Sequence, residues 1–291
     1  MKTRTTLTVL VCVWALAMIG CGEDSDSDGG DGVSTRTLAL DFQGLPALGA
    51  DFVYEGWAIV GGEPVTTGRF TVGADGSLSE DHFELDASVA DGAEMFVLTI
   101  EPAQGDDPAP SDTHVVAGPF DGDQAVLTLD HPAALGDDMT SAAGNFFLAT
   151  PTTTPEEDYG LGIWFPSMTL PALPAGWVYE GWIVDVTGDS PLPISTGTFT
   201  DPAAADSDMA GPAAGPEGAP PFPGQDFIDP ARDLRAGHMA VISIEPDPDD
   251  SPAPFQFKPL ANMIAGDVMS DMQDLNNVIG DNTIGGSAAF E

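Results

Sequence analysis

Positive charge is nearly absent from this chain. Its 291 residues carry 7 Lys plus Arg against 47 Asp plus Glu, a formal net charge of −40. A surface this acidic repels phosphate backbones and anionic headgroups, which excludes nucleic-acid binding through basic patches. Cysteine is scarce as well: Cys12 and Cys21 can build neither a disulfide scaffold nor a four-cysteine zinc site. Long apolar runs stop after the first twenty residues. Sustained helical periodicity is missing beyond them, with Val268–Val278 the one further candidate. Phosphate loops, a Gly-x-Ser-x-Gly elbow and a His-Glu-x-x-His pattern are missing too.

What is present describes a folded, turn-rich chain. Hydrophobic residues make up 42%, enough to build a core despite the charge, and 34 Gly with 26 Pro favour short strands over helices. At the start, Lys2 and Arg4 precede a thirteen-residue apolar run, Leu7–Ile19. That run is too short to span a bilayer, which takes about 20 residues, and fits a signal-peptide core. It ends Leu16-Ala17-Met18-Ile19-Gly20-Cys21, similar to a bacterial lipobox, which predicts residues 1–20 as signal and Cys21 as the lipidated first residue. An ordinary secretory signal is the alternative. Residues 21–35, rich in Asp, Ser and Gly, are expected to form a disordered acidic tether between lipid and body.

The body repeats itself. Val53-Tyr54-Glu55-Gly56-Trp57 returns as Val178-Tyr179-Glu180-Gly181-Trp182, and Leu45-Pro46-Ala47-Leu48 as Leu170-Pro171-Ala172-Leu173, both 125 residues on. Gly68-Arg69-Phe70-Thr71 matches Gly197-Thr198-Phe199-Thr200 at 129. Ile100-Glu101-Pro102 matches Ile244-Glu245-Pro246 at 144, and Pro108-Ala109-Pro110 matches Pro252-Ala253-Pro254 at the same offset. Preserved order with a growing offset marks a duplication whose loops took insertions, the largest around Asp201–Gly224. The apolar runs inside each copy are short, β-branched and aromatic, with Gly, Pro or Asp in most gaps. They include Phe52–Val60, Met95–Glu101, Phe146–Thr150, Val178–Val186, Met239–Glu245 and Phe255–Leu260. The expected fold class is all-β, two tandem antiparallel β-sandwich domains over 36–166 and 167–291, each folding separately, with Tyr54, Trp57, Tyr179 and Trp182 as structural core.

Together these motifs resemble the extracytoplasmic C-terminal domain of anti-sigma-K factors. The segments that carry the likeness are LPALPAGWVYEGW at Leu170–Trp182 and VLTIEPAQGDDPAP at Val97–Pro110, followed by Val115-Val116-Ala117-Gly118. The resemblance implies a sensory-type β domain outside the cytoplasm. The family's sigma-binding zinc domain and its linking membrane helix have no counterpart in these residues, so anti-sigma activity is not implied.

Site chemistry is thin. His82, His114, His131 and His238 are widely spaced and read as surface or turn residues, and Ser190 lacks an activating setting. Glu55 and Glu180 could pair as catalytic carboxylates, although a structural role is favoured because each adjoins a core Trp and belongs to a different copy. Asp121-Gly122-Asp123 and Asp247–Asp250 are acidic turns with weak calcium potential. The expectation is therefore no catalytic, cofactor or metal residue. The chain reads as a lipid-anchored binding or sensing module of the cell envelope, attached to a membrane and meeting an envelope protein or small ligand. An accessory regulator of a sigma pathway is the runner-up, and a cell-envelope hydrolase comes third.

Overall fold

The computed structural model describes residues 34–154, 158–249, 251–266 and 271–291. The expectations for the signal, Cys21 and nearly all of the tether lie outside these residues. Residues 34–291 form one compact unit, almost entirely β.

The first copy contributes β1 (Thr35–Gln43), β2 (Phe52–Val60), β3 (Glu63–Phe70), β4 (His82–Asp86), the short helix α1 (Ala87–Gly92), β5 (Ala93–Pro102), β6 (His114–Asp121), β7 (Gln124–Leu127) and β8 (Ala143–Leu148). The second contributes β9 (Ile163–Thr169), β10 (Trp177–Asp185), β11 (Leu192–Phe199), β12 (Gly224–Gln225), β13 (His238–Pro246), β14 (Leu260–Met263), β15 (Gln273–Asn277) and β16 (Gly285–Phe290). They form two antiparallel sheets of eight strands, ordered β3-β2-β5-β6-β7-β16-β1-β4 and β11-β10-β13-β14-β15-β8-β9-β12. Position by position the two orders are the same, which gives the duplication a structural form.

Two strands depart from simple tandem domains. The last strand of each copy sits in the other copy's sheet. β16 lies between β1 and β7, with Leu38 opposite Phe290 and Ala288 opposite Ala125. β8 lies between β9 and β15, with Leu148 opposite Ile163 and Phe146 opposite Gln273. A boundary at 166/167 falls inside β9, and the chain crosses between lobes on both sides of it. The exchange has a plain physical cause. Each lobe leaves a slot between two strands, and filling it from either copy satisfies the same row of backbone N–H and C=O groups.

Each sheet folds over on itself as a sandwich. In lobe one Phe70 of β3 stacks on Tyr54 of β2 at 5.6 Å and reaches Phe42 of β1 at 6.0 Å, so the two ends of the strand order face one another across the core. Tyr179 and Phe199 repeat the stack in lobe two at 5.7 Å. One apolar cluster runs through both lobes, and polar bonds tie them together: Trp177 Nε1 donates to the His114 carbonyl (3.1 Å) and the Thr113 hydroxyl to that of Gly176 (3.2 Å). Residues 255–259, expected to begin a strand, form a loop instead, although Phe255 and Phe257 are buried against Trp177. Within Val268–Val278, the candidate helix, the described part holds the strand β15. The insertion around Asp201–Gly224 lies partly on the sheet: Ala210 and Phe222 pack on the buried Trp164.

Candidate functional site

The repeated motifs converge on one corner of each lobe, and their residues explain one another. The tyrosine of VYEGW points into the core and its hydroxyl ties down the Leu-Pro-Ala-Leu segment: Tyr54 donates to the Pro46 carbonyl at 3.0 Å, Tyr179 to that of Pro171 at 2.7 Å. Glycine follows the glutamate because a Cβ on Gly56 would lie 2.8 Å from the Phe96 ring. The register slips just beyond, between Gly56 and Trp57 and between Glu180 and Trp182, so both lobes carry a β-bulge here. Tyr54, Trp57, Tyr179 and Trp182 are all buried, but on different faces. The tyrosines belong to the shared core. Trp57 packs with Val97 and Ala117 on the outer face, and Trp182 with Val241 and Ala261.

That outer face holds the polar chemistry. Trp57 Nε1 donates to the Thr99 hydroxyl (2.9 Å), which donates to Glu101, whose Oε1 accepts the Ser111 N–H (2.8 Å). In lobe two Trp182 Nε1 donates to Ser243 (2.7 Å), Ser243 to Glu245, and Glu245 accepts the Phe255 N–H (2.9 Å). The Thr/Ser-Ile-Glu-Pro motif is therefore a relay. Its hydroxyl satisfies an indole N–H, and its buried carboxylate closes the proline-rich loop. Removing either partner would leave a buried polar group unmatched, a cost of about 1–3 kcal/mol.

Beside this relay stand Glu55 and Glu180. They lie in different lobes and do not pair with each other. Each meets the acids of its own lobe, and here the copies differ. Arg69, opposite Glu55 on β3, sets its guanidinium 3.2 Å from Glu55 Oε2 and 3.4 Å from Asp106 Oδ2, and it also donates to the Pro102 carbonyl. In lobe two the residue opposite Glu180 is Thr198. Glu180, Glu245 and Asp249 bring carboxylate oxygens within 4.8 Å of one another. Burial pushes both glutamates up to about 7, and the neighbouring acids add to the shift.

The remaining candidates separate. His82 is exposed beside Asp81, His114 donates to the Ala133 carbonyl at 2.8 Å, and His131 accepts the Ala133 N–H at 3.1 Å. His238 corrects the surface expectation. It is 4% exposed at the start of β13, with both ring nitrogens lacking hydrogen-bond partners among the described residues and Nε2 3.8 Å from Asp185. Ser190 is exposed. In the Asp121-Gly122-Asp123 turn, Asp123 pairs with Arg36 at 2.9 Å. The Asp247–Asp250 turn supplies Asp249 to the acidic corner. Sequence reading missed the three-acid cluster because Glu180 and Glu245 are 65 residues apart and meet only through the β10–β13 pairing. The one available signal was the exchange of Arg69 for Thr198 between otherwise matching motifs.

A cleft of about 900 Å³ opens where β1, β7 and β16 meet the 279–284 turn. Leu127, Leu129 and Ile284 line it, along with Val126, which is 72% exposed. Asp41, Asp130, Asp138 and Asp281 add charge. The exchanged β16 forms one wall.

Residues 31–120 match the family model of the anti-sigma-K factor RskA C-terminal domain. The matched stretch spans β1 through most of β6, so it holds every motif of the first corner and stops before both exchanged strands. Residues 31–120 are thus similar to an anti-sigma-factor domain, and the second lobe repeats the first lobe's strand order. No curated protein and no solved structure matches the chain.

Proposed function

We propose that the protein is a lipid-anchored binding and sensing module of the cell envelope, with two anti-sigma-K C-terminal-like lobes and no catalytic chemistry of its own. One observation carries this reading: the residues of the repeated motifs are turned inward onto one another. The tyrosines hold a loop, the tryptophans and hydroxyls hold the glutamates, and the glutamates hold a second loop. Groups committed in this way build a scaffold, and the acid-rimmed cleft beside β16 is where a partner protein or small ligand would dock. The match to an anti-sigma-factor domain favours one refinement, in which the module serves a sigma pathway through a separate membrane partner.

Two experiments test the proposal. Cys21→Ala should release the protein from membranes or stall its processing, and membrane-bound mature protein in that variant would overturn the anchor. A photo-crosslinking residue at Val126 should capture a discrete envelope component in living cells, whereas one at the exposed Glu63 on β3 should not. Equal and diffuse labelling at both positions would overturn the cleft as a docking site.

A further inference from the structure

Three adjoining strands, β1, β16 and β7, meet charge in opposite ways at their two ends. At one end Arg36 of β1 pairs with Asp123 (2.9 Å), lies 3.7 Å from Asp91, and sits 5.4 Å over the Phe290 ring of β16. At the other end lies the cleft of about 900 Å³, and none of the residues lining it is Lys, Arg or His. Asp41, Asp130, Asp138 and Asp281 are exposed there, and none of them forms an ion pair among the described residues. Asp138 accepts the Thr140 hydroxyl (2.6 Å) and N–H (2.9 Å), which hold it below the usual carboxylate range and keep it charged.

The same cleft offers an apolar seat. Asp41, Ser287 and Val126 stand opposite one another across β1, β16 and β7, so their side chains share a face. Ser287 and Gly285, two positions apart on that face of β16, are small and leave a trough between Asp41 and Val126. Val126 is 72% exposed, more than any other large hydrophobic side chain among the described residues. Covering it stabilises a complex through apolar burial, and answering the carboxylates selects which complex forms.

We propose that the cleft takes a basic, amphipathic peptide segment of a partner protein, with apolar side chains on Val126 and Lys or Arg side chains at Asp41, Asp130 and Asp281. The inference rests on the cleft as a docking site and adds the chemistry of its occupant. Charge complementarity makes the choice. Arg36, Arg69, Arg232 and Arg235 are paired with acids elsewhere, so the cations come from outside. An acidic or neutral segment would strip water from the carboxylates without pairing them. The occupant also touches the approaches to both exchanged strands, since Asp138 and Thr140 precede β8 and the 279–284 turn leads into β16.

The test uses the full chain and three fluorescein-labelled peptides as probes: a Lys-Leu repeat, a Lys-Gly repeat of equal charge and a Glu-Leu repeat of equal apolar content. Fluorescence anisotropy should show one saturable site for Lys-Leu, binding of Lys-Gly weaker by about tenfold or more, and none of Glu-Leu. Asp41→Asn, Asp130→Asn and Asp281→Asn combined should weaken Lys-Leu by about tenfold or more. The same loss of charge at exposed acids outside the cleft, Glu63→Gln, Glu84→Gln and Asp189→Asn, should have a much smaller effect. Gly280→Trp should abolish the site. A Cβ at Gly280 meets open space, so the bulk enters the cleft without disturbing the backbone, and circular dichroism checks the fold of every variant. Equal binding of Lys-Leu and Lys-Gly, equal losses in the two triple variants, or retained binding in Gly280→Trp would overturn the basic, amphipathic occupant. With discrete capture at Val126, such results leave the docking site standing and remove only its assigned chemistry, whereas diffuse labelling at Val126 removes both.

Discussion

Phe290, one residue from the C-terminus, should hold together the N-terminal lobe. It is 6% exposed, stands opposite Leu38 of β1, packs its ring 5.1 Å from Phe120, and carries the Arg36 guanidinium 5.4 Å above its face. Truncation to Ala removes a large buried aromatic and leaves a cavity, at a cost of about 3–5 kcal/mol, with the cation–π contact a further fraction of a kcal/mol. Against a typical stability of about 5–15 kcal/mol the loss is severe. Its location discriminates more sharply than its size. Hydrogen exchange read by mass spectrometry on Phe290→Ala, and on a chain ending at Ile284, should show β1 and β7 losing protection, although they lie more than 150 residues away in sequence. β9 and β15, the strands that β16 would join in an unexchanged fold, should keep theirs. The opposite pattern, with β9 and β15 exposed and β1 and β7 protected, would refute the strand exchange.

Two further predictions follow from charge. Glu180 and Glu245, pushed up to about 7 by burial, keep their protons in the folded chain where an unfolded glutamate (about 4.3) has lost them. Their stabilising effect is complete below about pH 4 and fades as pH rises towards 7, so melting temperature in chelator should fall across about pH 5 to 7.5. A Glu180→Gln, Glu245→Gln double variant should flatten that slope, and a rising profile in the wild type would contradict the reasoning. Secondly, the whole chain sets 7 basic residues against 47 acids. Screening within about 8 Å at physiological salt should raise the melting temperature between low and moderate NaCl, and a flat or falling profile would count against dominant self-repulsion.

Strand content and the position of the buried aromatics were legible in the chain because both are local. β2 runs from Phe52 to Val60, the bounds read from its apolar pattern, and β10 and β13 sit within a residue of theirs. β1, β3, β6 and β16 were passed over. In β1 and β3 buried residues are interspersed with exposed polar ones, and β16 is built mostly of Gly, Ser and Ala, so no large apolar run announces these three; β6 does carry the short buried run Val115–Gly118. Strand exchange could not be read at all. β8 and β16 occupy equivalent slots, so every local preference is satisfied whichever lobe receives them, and only the lengths and paths of the connecting loops decide. The Glu180–Glu245 encounter was hidden for a similar reason, since a strand pairing brings together residues that no motif window spans.

Scarcity of positive charge gives the comparison of the two corners its force. Arg36, Arg69, Arg232, Arg235 and Lys258 are the only Lys or Arg among the described residues, and each of these arginines forms an ion pair with an acid. Duplication copied the glutamates of the corner, because the relay that closes the proline loop needs Glu101 and Glu245 as acceptors for Ser111 and Phe255. The arginine has no such duty in the second lobe, and Thr198 fills its register. What remains is a buried acidic pair that the fold uses for its hydrogen bonds and that no arginine faces, with Lys258 acting on Glu245 through its charge. A proton neutralises it as pH falls, since burial raises both carboxyls to about 7. In the first lobe Arg69 supplies a countercharge to Glu55 and Asp106. The second lobe's stability should therefore depend on pH through Glu180 and Glu245, whose protons the folded chain holds more tightly than the unfolded one.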